Sequence, residues 1–516
     1  MNTAKIMSRP ICLSELLGTL LAVPENFDVQ ITGMEMDSRK LVAGDVFLAC
    51  KGASFDGREF IDDAVARGAR AIIVEKDTQW SQASLRHGVP ILPVDKLSSK
   101  IGKIAARYFG HPGRGMTLIG ITGTNGKTSC CQFIAQCFSA LAGPCGVSGT
   151  LGYGIYGDTC ITDENGPATT PDAVAVQRIM QEARSRNAQC MVMEVSSHGL
   201  EQNRVNVCEF DVALFTNLSQ EHLDYHGDMK AYGEAKRKLF LGPDLRIAIV
   251  NQDDNFSASI LNSISRQVKS YTYSLKNSHA SVFLRELVFT RTGFMAEIFT
   301  PWGNGPIKSQ VLGSFNVSNL LAAVTTVMAV EAQKQDFDFL RVLAAIERIK
   351  PVAGRMEIIP HESLAVVVDY AHTPDGLSNA LSALKEHFHE GKIWCVFGCG
   401  GNRDRSKRPL MAEIAEAMAD HLVITDDNPR NERSEDIIKQ ILGGIRKKEK
   451  TMVISDRASA IEYAITQAEA GDVVLIAGKG HEQYQDIGGS RMAFSDVKQA
   501  RISLNKRGQQ ILAKES

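Results

Sequence analysis

The sequence predicts an α/β protein of three domains, and three observations carry that expectation. The chain has 516 residues, roughly three times the length of a typical domain. Short apolar runs alternate with helix-like stretches along most of it, the signature of mostly parallel, doubly wound sheets. One such run, "TLIGIT", leads into a glycine turn and then Lys-Thr, an arrangement that cradles phosphates. Composition agrees, since 44% hydrophobic and 22% charged residues are ordinary for a soluble globular chain. A formal net charge of −2 argues against nucleic acid as a partner. No apolar run reaches the ~18 residues of a membrane span, so no membrane partner is expected.

The elements follow in order. The N-terminal stretch around "ICLSELLGTLLAV" reads as an amphipathic helix rather than a leader peptide. Apolar runs at 46–50, 71–75 and 90–94 predict strands, with a helix over 58–68. "FGHPGRGM", 109–116, is a Gly/Pro break, which sets a first domain of 1–113. Strands at 117–122, 190–195, 211–216 and 246–251, with the helix "SCCQFIAQCFSALA" and others between them, form a second domain of 114–350. "RIKPVAGRM", 348–356, is the next break. In 351–516, "LAVVVDYA", "IWCVFGCG", "HLVITDD" and "DVVLIAGKG" alternate with helical stretches as another open sheet. Eleven cysteines without a CxxC pair suit free thiols in a reducing cytoplasm. Cys130, Cys131, Cys395 and Cys399 read as small buried hydrophobes rather than metal ligands.

The strongest chemical signal is "GITGTNGKTS", 120–129. Gly123, Thr124, Asn125 and Gly126 make the turn, whose N–H groups face an anion together with the helix N-terminus. Lys127 reaches outer phosphates, and Thr128 offers its hydroxyl to Mg2+. The strict G-x-x-x-x-G-K-[ST] pattern fails, because Ile stands at 121 and the earlier glycine at 120. "MVMEVSSHGLEQNR" then places Glu194, Ser196, His198, Gln202 and Arg204 after one strand. "LFTNLSQEHLDYHGDM" places His222, Asp224 and His226 after another. Ligand sites in open α/β sheets gather at strand carboxyl ends, and Glu194 with His222 suits a divalent ion.

Other charged stretches are read from spacing. Lys236 in "AYGEAKRKLF" looks like part of a solvated basic helix face, and Asn316 and Asn319 in "GSFNVSN" look like a helix start. In "GGNRDRSKRP", Arg403, Arg405, Lys407 and Arg408 stand at the mouth of a sheet and point to an anionic ligand. In "TDDNPRNE", Pro429 fixes its own φ and biases Asn428 away from helix, so Arg430 stands on a stiff turn at a strand's end.

Taken in order, "GTNGKTS", "MEVSSHGL", "FTNLSQEHLDYHGDM", "GSFNVSN", "GRME", "VVDYAHTPD", "VFGCGGNRDRSKRP", "TDDNPR" and "AGKGHE" resemble the Mur ligases. The resemblance covers nearly the whole chain, including "MDSRKLVAGDVFLACKGASFDGREF". It implies an ATP-dependent amide ligase of cytoplasmic peptidoglycan precursor synthesis, of the type that adds the third peptide residue. The implied substrates are UDP-N-acetylmuramoyl-L-alanyl-D-glutamate, meso-2,6-diaminopimelate and ATP, handled by a monomer. The implied fold is a smaller N-terminal α/β domain for the UDP precursor, a central P-loop ATPase with a mostly parallel sheet, and a C-terminal Rossmann-like domain for the amino acid.

Residue by residue, the resemblance implies that Met36, Ser38, Ala53, Ser54 and Phe55 line the uridine pocket. Ala168, Thr169, Thr170, Ser196, Gln202 and Arg204 would hold the muramoyl-dipeptide, with Ala168 standing where many relatives have Asn. Gly123, Thr124, Asn125, Gly126, Lys127, Thr128 and Ser129 would contact ATP together with Asn316, Arg355 and Asp369. Two Mg2+ would be held by Thr128, Glu194, His222 and Lys236, the last as a carbamate (N6-carboxylysine), which overrides the solvated-face reading of that lysine. Lys127, Glu194, His222 and Lys236 would be catalytic. Arg403, Asp427, Asn428, Pro429, Arg430, Gly478 and Glu482 would hold diaminopimelate. There Arg430 would pair with the carboxylate that lysine lacks, while Asp427 and Asn428 would meet the amino group at the same end. Substrates on separate domains imply closure. Folylpolyglutamate synthetase shares the logic of the central domain, but its substrate gives no use for "DSR" or "DNPR". Lysine-adding family members are the nearest alternative.

Overall fold

Three larger sheets, with two two-stranded ones beside them, follow one another along the chain in the computed structural model, which describes residues 9–52, 56–158, 169–361 and 364–515. Ala53, Ser54, Phe55 and Ala168 lie outside the described residues. The first sheet runs Gly33–Glu35, Asp45–Ala49, Ala71–Glu75 and Val89–Val94, all parallel, with Ser84–Arg86 antiparallel at its edge. Its strands are near-continuous apolar runs because both faces are covered. Val46, Leu48, Ile73 and Leu92 pack toward the helix Leu97–Tyr108, and Phe47, Ile72 and Val74 toward Ile61 and Ala64. The helix expected over 58–68 is a 3-10 turn, Gly57–Phe60, followed by Ile61–Ala66. The expected N-terminal helix is only Leu13–Leu17, ended by Gly18 at φ +49°.

The chain packs as two compact units, Met1–Ser281 with Ala322–Phe337, and Val282–Leu321 with Asp338–Ser516. In the first unit, the second sheet has parallel strands in the spatial order Cys145–Gly149, Cys190–Glu194, Thr117–Thr122, Val212–Phe215, Ile247–Asn251 and Lys269–Ser274. Gly152–Ile155 pairs antiparallel with the Cys145 strand. Thr117–Thr122, first in sequence, is central in space. Its glycine turn therefore opens between the carboxyl ends of strands on either side, the switch point where open α/β sheets bind ligands.

The second unit contains an antiparallel meander, Val282–Thr290, Gly293–Thr300 and Gly303–Ser309, for which the sequence reading proposed no element. Residues 282–321 and 338–350 pack with the second unit. Its main sheet runs Glu357–Ile359, Ala365–Asp369, Val473–Ala477, Ile393–Phe397, His421–Ile424 and Thr451–Val453, parallel except for the first strand. Apolar clusters cover both faces.

A buried ion pair locks the carboxyl ends of that sheet. Arg457 and Asp496 each begin a helix, and both side chains are fully buried. Arg457 Nε donates to Asp496 Oδ1 at 2.7 Å and Nη2 to Oδ2 at 2.8 Å. The remaining donors reach the carbonyls of Asp426 at 3.1 Å and Ala477 at 3.0 Å, so one guanidinium joins two strand ends and two helix starts. Removing one partner of such a pair leaves an uncompensated buried charge. Arg457→Met is expected to lower unfolding free energy by about 3–5 kcal/mol in urea titration, and Arg457→Met with Asp496→Leu by clearly less. Equal losses in the two variants would show that the charge pair is not the source.

Candidate functional site

In the first unit the glycine turn is held from the side by the segment after Val212–Phe215. Thr124 N donates to Asn217 O at 2.8 Å, Asn125 N to Asn217 Oδ1 at 2.9 Å, and Thr216 Oγ1 to Asn125 O at 2.6 Å. Lys127 starts the helix Lys127–Leu141, and its Nζ bridges the Gly123 and Thr124 carbonyls at 2.8 Å each. Turn, helix start and lysine stand together at the strand's end as the anion-cradle expectation requires, but the Thr124 and Asn125 N–H groups, expected to face an anion, donate to Asn217 instead.

Glu194, 2% exposed at the end of its strand, organises what surrounds the cradle. Its Oε2 accepts from Thr128 Oγ1 and Thr150 Oγ1, both at 3.0 Å, and Oε1 from Thr150 N at 2.9 Å. Its backbone oxygen accepts from Thr170 Oγ1 at 2.9 Å, and that hydroxyl accepts from Ser196 N at 2.9 Å. Arg204 Nη1 donates to Thr170 O at 2.6 Å and Nη2 to Gln202 Oε1 at 2.6 Å; Thr169 Oγ1 lies 3.3 Å from Thr150 Oγ1. Thr169, Thr170, Ser196, Gln202 and Arg204 therefore form one cluster with Glu194. Thr150 was missed in the sequence, because an isolated threonine after a short strand carries no local signal.

Lys236 is 1% exposed, not on a solvated face. Its Nζ donates to Gly123 O at 2.8 Å and lies 4.3 Å from the centre of the Tyr232 ring, whose hydroxyl is 3.2 Å from Thr124 Oγ1. Burial, and secondarily the nearby Lys127 charge, push its pKa well below that of an ordinary lysine. His222 belongs to an aromatic group, its ring centre 4.9 Å from that of His198, which stands 5.5 Å from His226. Glu194 and His222 share no hydrogen bond. Among the described residues no three His, Cys, Asp or Glu side chains converge on a metal-sized position. Thr128 with Glu194 is nevertheless a hydroxyl–carboxylate pair of hard oxygen donors, which suits Mg2+.

A cleft of about 230 Å³ opens at the edge of the first sheet, lined by Met36 and Asp37 on one side and Gly149, Tyr153 and Asp172 on the other. Arg178 crosses it to Glu35 at 2.6 Å. Ser38 is buried and hydrogen-bonds Asp63, so of the two described uridine-pocket candidates only Met36 lines the cleft.

The second unit holds the other candidates. Asn316 Nδ2 donates to Leu312 O at 3.0 Å, and Asn319 Nδ2 lies 3.4 Å from Asn316 Oδ1. Asp369 accepts from Met356 N at 2.7 Å and Ala371 N at 2.8 Å, and burial raises its pKa despite Arg355. Arg355 lies 4.5 Å from the Tyr370 ring centre, with Nε buried and without a hydrogen-bond partner among the described residues, a donor suited to an anion.

The cations of "GGNRDRSKRP" do not act together. Arg408 is fully buried and forks onto Glu432 at 3.0 Å, which holds that carboxyl at about 2. Arg405 also faces Glu432, at 3.3 Å, and Lys407 donates to His372 O at 2.7 Å. Arg403 alone keeps an exposed side chain with no hydrogen bond or ion pair among the described residues.

The turn at 427–430 is stiffer than proline makes it. Arg430 has φ +53°, its N donates to Asp486 O at 2.9 Å, and its O accepts from Gly488 N at 2.7 Å. Nη1 donates to Gly401 O at 2.7 Å. Asp427 is buried, which raises its pKa, and it lies so close to Gly478 that a Cβ there would stand 2.5 Å from Asp427 Oδ2. Pro429 is buried; Asn428 and Glu482 are hydrogen-bonded to each other at 2.8 Å.

A phosphate-cradling turn at a parallel sheet's switch point, followed by a second α/β sheet with its own polar turn, defines a P-loop enzyme with an added acceptor domain. Three family models match consecutive segments: "Mur ligase family, catalytic domain" over 30–109, "Mur ligase middle domain" over 121–327 and "Mur ligase, glutamate ligase domain" over 354–480. The UDP-N-acetylmuramoyl-L-alanyl-D-glutamate–2,6-diaminopimelate ligase of Pseudomonas putida is 44% identical over 92% of this chain and 95% of its own. That of Coxiella burnetii is 43% identical over 92% and 96%. A solved structure of a ligase with the same name matches with a TM-score of 0.71 at 34% identity, covering 97% of this chain and 100% of that one. This chain belongs to the Mur ligase family.

Gly149 provides a direct check on Glu194. A Cβ at Gly149 would stand 2.1 Å from Glu194 Oε1, so Gly149→Ala must push the carboxylate away from Thr128. Overpacking of this kind costs about 1–3 kcal/mol of stability. The variant is expected to remain folded by circular dichroism yet lose at least about 10-fold in ATP turnover, and undiminished turnover would refute the role given to Glu194.

Proposed function

We infer that this Mur ligase joins meso-2,6-diaminopimelate to UDP-N-acetylmuramoyl-L-alanyl-D-glutamate with cleavage of ATP to ADP and phosphate, in cytoplasmic peptidoglycan precursor synthesis. Matches to ligases of that name over 92% or more of this chain, at 34–44% identity, support the reaction. Arg430 is the observation that carries the choice of amino acid. Its backbone is fixed by two hydrogen bonds and its guanidinium aimed by Gly401. The fork can take a second carboxylate bidentately, a contact that lysine cannot offer. A guanidinium left unpaired penalises the wrong substrate, so selectivity comes from what lysine lacks.

The chemistry follows from the first unit. The D-glutamyl carboxylate attacks the γ-phosphate of ATP, ADP leaves, and an acyl phosphate forms. The neutral amine of diaminopimelate then attacks the acyl carbon, a proton is lost, and phosphate departs from the tetrahedral intermediate. Two anions must meet in the first step. Lys127 and the helix N-terminus offset that repulsion. Thr169, Thr170, Ser196, Gln202 and Arg204 would hold the dipeptide, Met36 the nucleotide end, and Arg355, Asn316 and Asp369 would contact ATP. Thr128 and Glu194, with His222 and a carbamylated Lys236, would hold two Mg2+, which supply charge neutralisation at the transferring phosphoryl group.

Lys236 fits the carbamate. A buried amine whose pKa is pushed down stays neutral, and its lone pair can attack CO2, forming N–C and releasing a proton. The resulting anion sits beside Lys127, where the ammonium was repelled. Wild type equilibrated with 13CO2 is expected to show a carbamate carbon resonance that Lys236→Ala lacks. That variant should also lose at least about 10–100-fold in activity, without recovery in bicarbonate. An unchanged resonance in the variant would place the modification elsewhere.

The defining assay supplies ATP, Mg2+, the UDP-dipeptide and either diaminopimelate or lysine, and follows phosphate release and product mass. Product with diaminopimelate and little with lysine is expected, and the reverse would overturn the substrate choice. Arg430→Ala should cost about 1.5–3 kcal/mol in diaminopimelate use, roughly 10–150-fold in KM, with KM for ATP little changed.

A further inference from the structure

We propose that Lys479 is a positioning residue for the incoming amino acid: it fixes the Asn428 amide and turns Glu482 so that one carboxylate oxygen is presented to the substrate's distal ammonium group. The proposal rests on the diaminopimelate reading above. Lys479 is fully buried. Its Nζ donates to Asn428 Oδ1 at 2.9 Å and Glu482 Oε2 at 2.9 Å, and lies 3.8 Å from Asp427 Oδ1.

These contacts leave the Asn428 amide one orientation. Its Oδ1 accepts from Lys479 and from Asp486 N at 3.0 Å, while Nδ2 donates to Glu482 Oε2 at 2.8 Å. A flipped amide would set its NH2 against an ammonium and an N–H, three donors with no acceptor between them. The Asn428 side chain is thereby held by three groups of the protein. The same strand, Tyr484–Ile487, offers Asp486 O to Arg430 N. One buried lysine therefore sets the turn that carries Arg430 in register with Glu482.

Both bonds to Glu482 fall on Oε2, and Oε1 takes part in neither. Burial alone would raise this carboxyl's pKa, but the Lys479 charge, its hydrogen bond and that of Asn428 outweigh burial and bring it below the usual value. Glu482 thus stays ionised, with an oxygen to pair with an ammonium, while Arg430 stands ready for the adjoining carboxylate. An amino-acid end needs those two opposite charges.

The test measures kcat and KM for diaminopimelate, ATP and UDP-dipeptide between pH 5 and 8 in wild type, Lys479→Met, and Lys479→Met with Glu482→Gln. In Lys479→Met the carboxylate loses its main partner, burial prevails, and the Glu482 pKa rises. Its kcat/KM for diaminopimelate is expected to fall at least about 10-fold and to decline further toward acid pH, with KM for ATP within about twofold of wild type. The double variant no longer leaves the Glu482 carboxylate unpaired, and Asp427 keeps the Arg457 charge, so it keeps the experiment decisive if the single variant misfolds. It is expected to fold with wild-type cooperativity, to lose diaminopimelate use, and to lack the acid limb. Wild-type diaminopimelate kinetics in either variant, or equal losses toward ATP and diaminopimelate, would overturn the proposal by making Lys479 dispensable or merely structural. Wild type that ignores diaminopimelate would instead overturn the substrate reading.

Discussion

Burying the Glu194 carboxylate at a strand's end is the constraint from which the first unit's site follows. An ionised carboxyl removed from water must be paired or fully hydrogen-bonded, at a cost of several kcal/mol otherwise. Glu194 is satisfied by Thr128 at the start of the phosphate-turn helix and by Thr150 in the turn after the Cys145–Gly149 strand. Its own carbonyl takes Thr170, which takes Ser196 N, and Arg204 closes onto the Thr170 carbonyl. The start of the glycine-turn helix and the cluster of Thr170, Ser196 and Arg204 are therefore one hydrogen-bonded body, and the close approach of Gly149 leaves Glu194 no other place. The opposite imbalance lies on the other side of the glycine turn. There Lys236 is buried against a carbonyl and a ring face, with Lys127 as its charged neighbour. A hydrogen-bonded carboxyl and a buried amine pushed toward its neutral form thus flank one glycine turn, and that asymmetry supports the proposed carbamate.

Much of this was legible because strands and phosphate turns have local signatures. The runs at 71–75 and 117–122 became strands with those bounds, since an apolar run buried on both faces needs no knowledge of its partners. The side chains were less legible, because burial of a charge depends on elements far away in sequence. Lys236 and Arg408 both sit in basic runs that read as solvated or ligand-facing, yet both are buried. Arg408 is claimed by Glu432, a residue no spacing rule connects to it. The meander over 282–309 escaped for a related reason. Its strands are half-exposed, with polar and small residues interrupting the alternation that marks a strand.

The second unit shows why proline was an incomplete explanation for the stiff turn at 427–430. Pro429 restricts one φ and its predecessor, but Arg430 itself occupies the left-handed region, which a non-glycine residue holds only when its surroundings impose it. The Tyr484–Ile487 strand and the turn after it impose it through two backbone bonds, and Lys479 ties that strand back to Asn428. Behind them, Arg457 takes the carbonyls of Asp426 and Ala477, anchoring the strand ends from which both the turn and the Lys479 segment depart.

That layering assigns different jobs to chemically similar groups. Arg457 and Lys479 are buried cations that spend their donors on protein acceptors and so define geometry. Arg430 and Glu482 are only partly enclosed and each keeps bonding capacity beyond its scaffold contacts. A substrate end bearing one carboxylate and one ammonium satisfies both at once, whereas an end with the ammonium alone leaves the guanidinium unmatched. Discrimination on this basis needs the two charges held at a fixed separation, because flexible partners could rearrange around the smaller ligand. The buried cations supply that rigidity, so on the proposed reading the selectivity of the turn resides as much in residues that never meet the substrate as in Arg430.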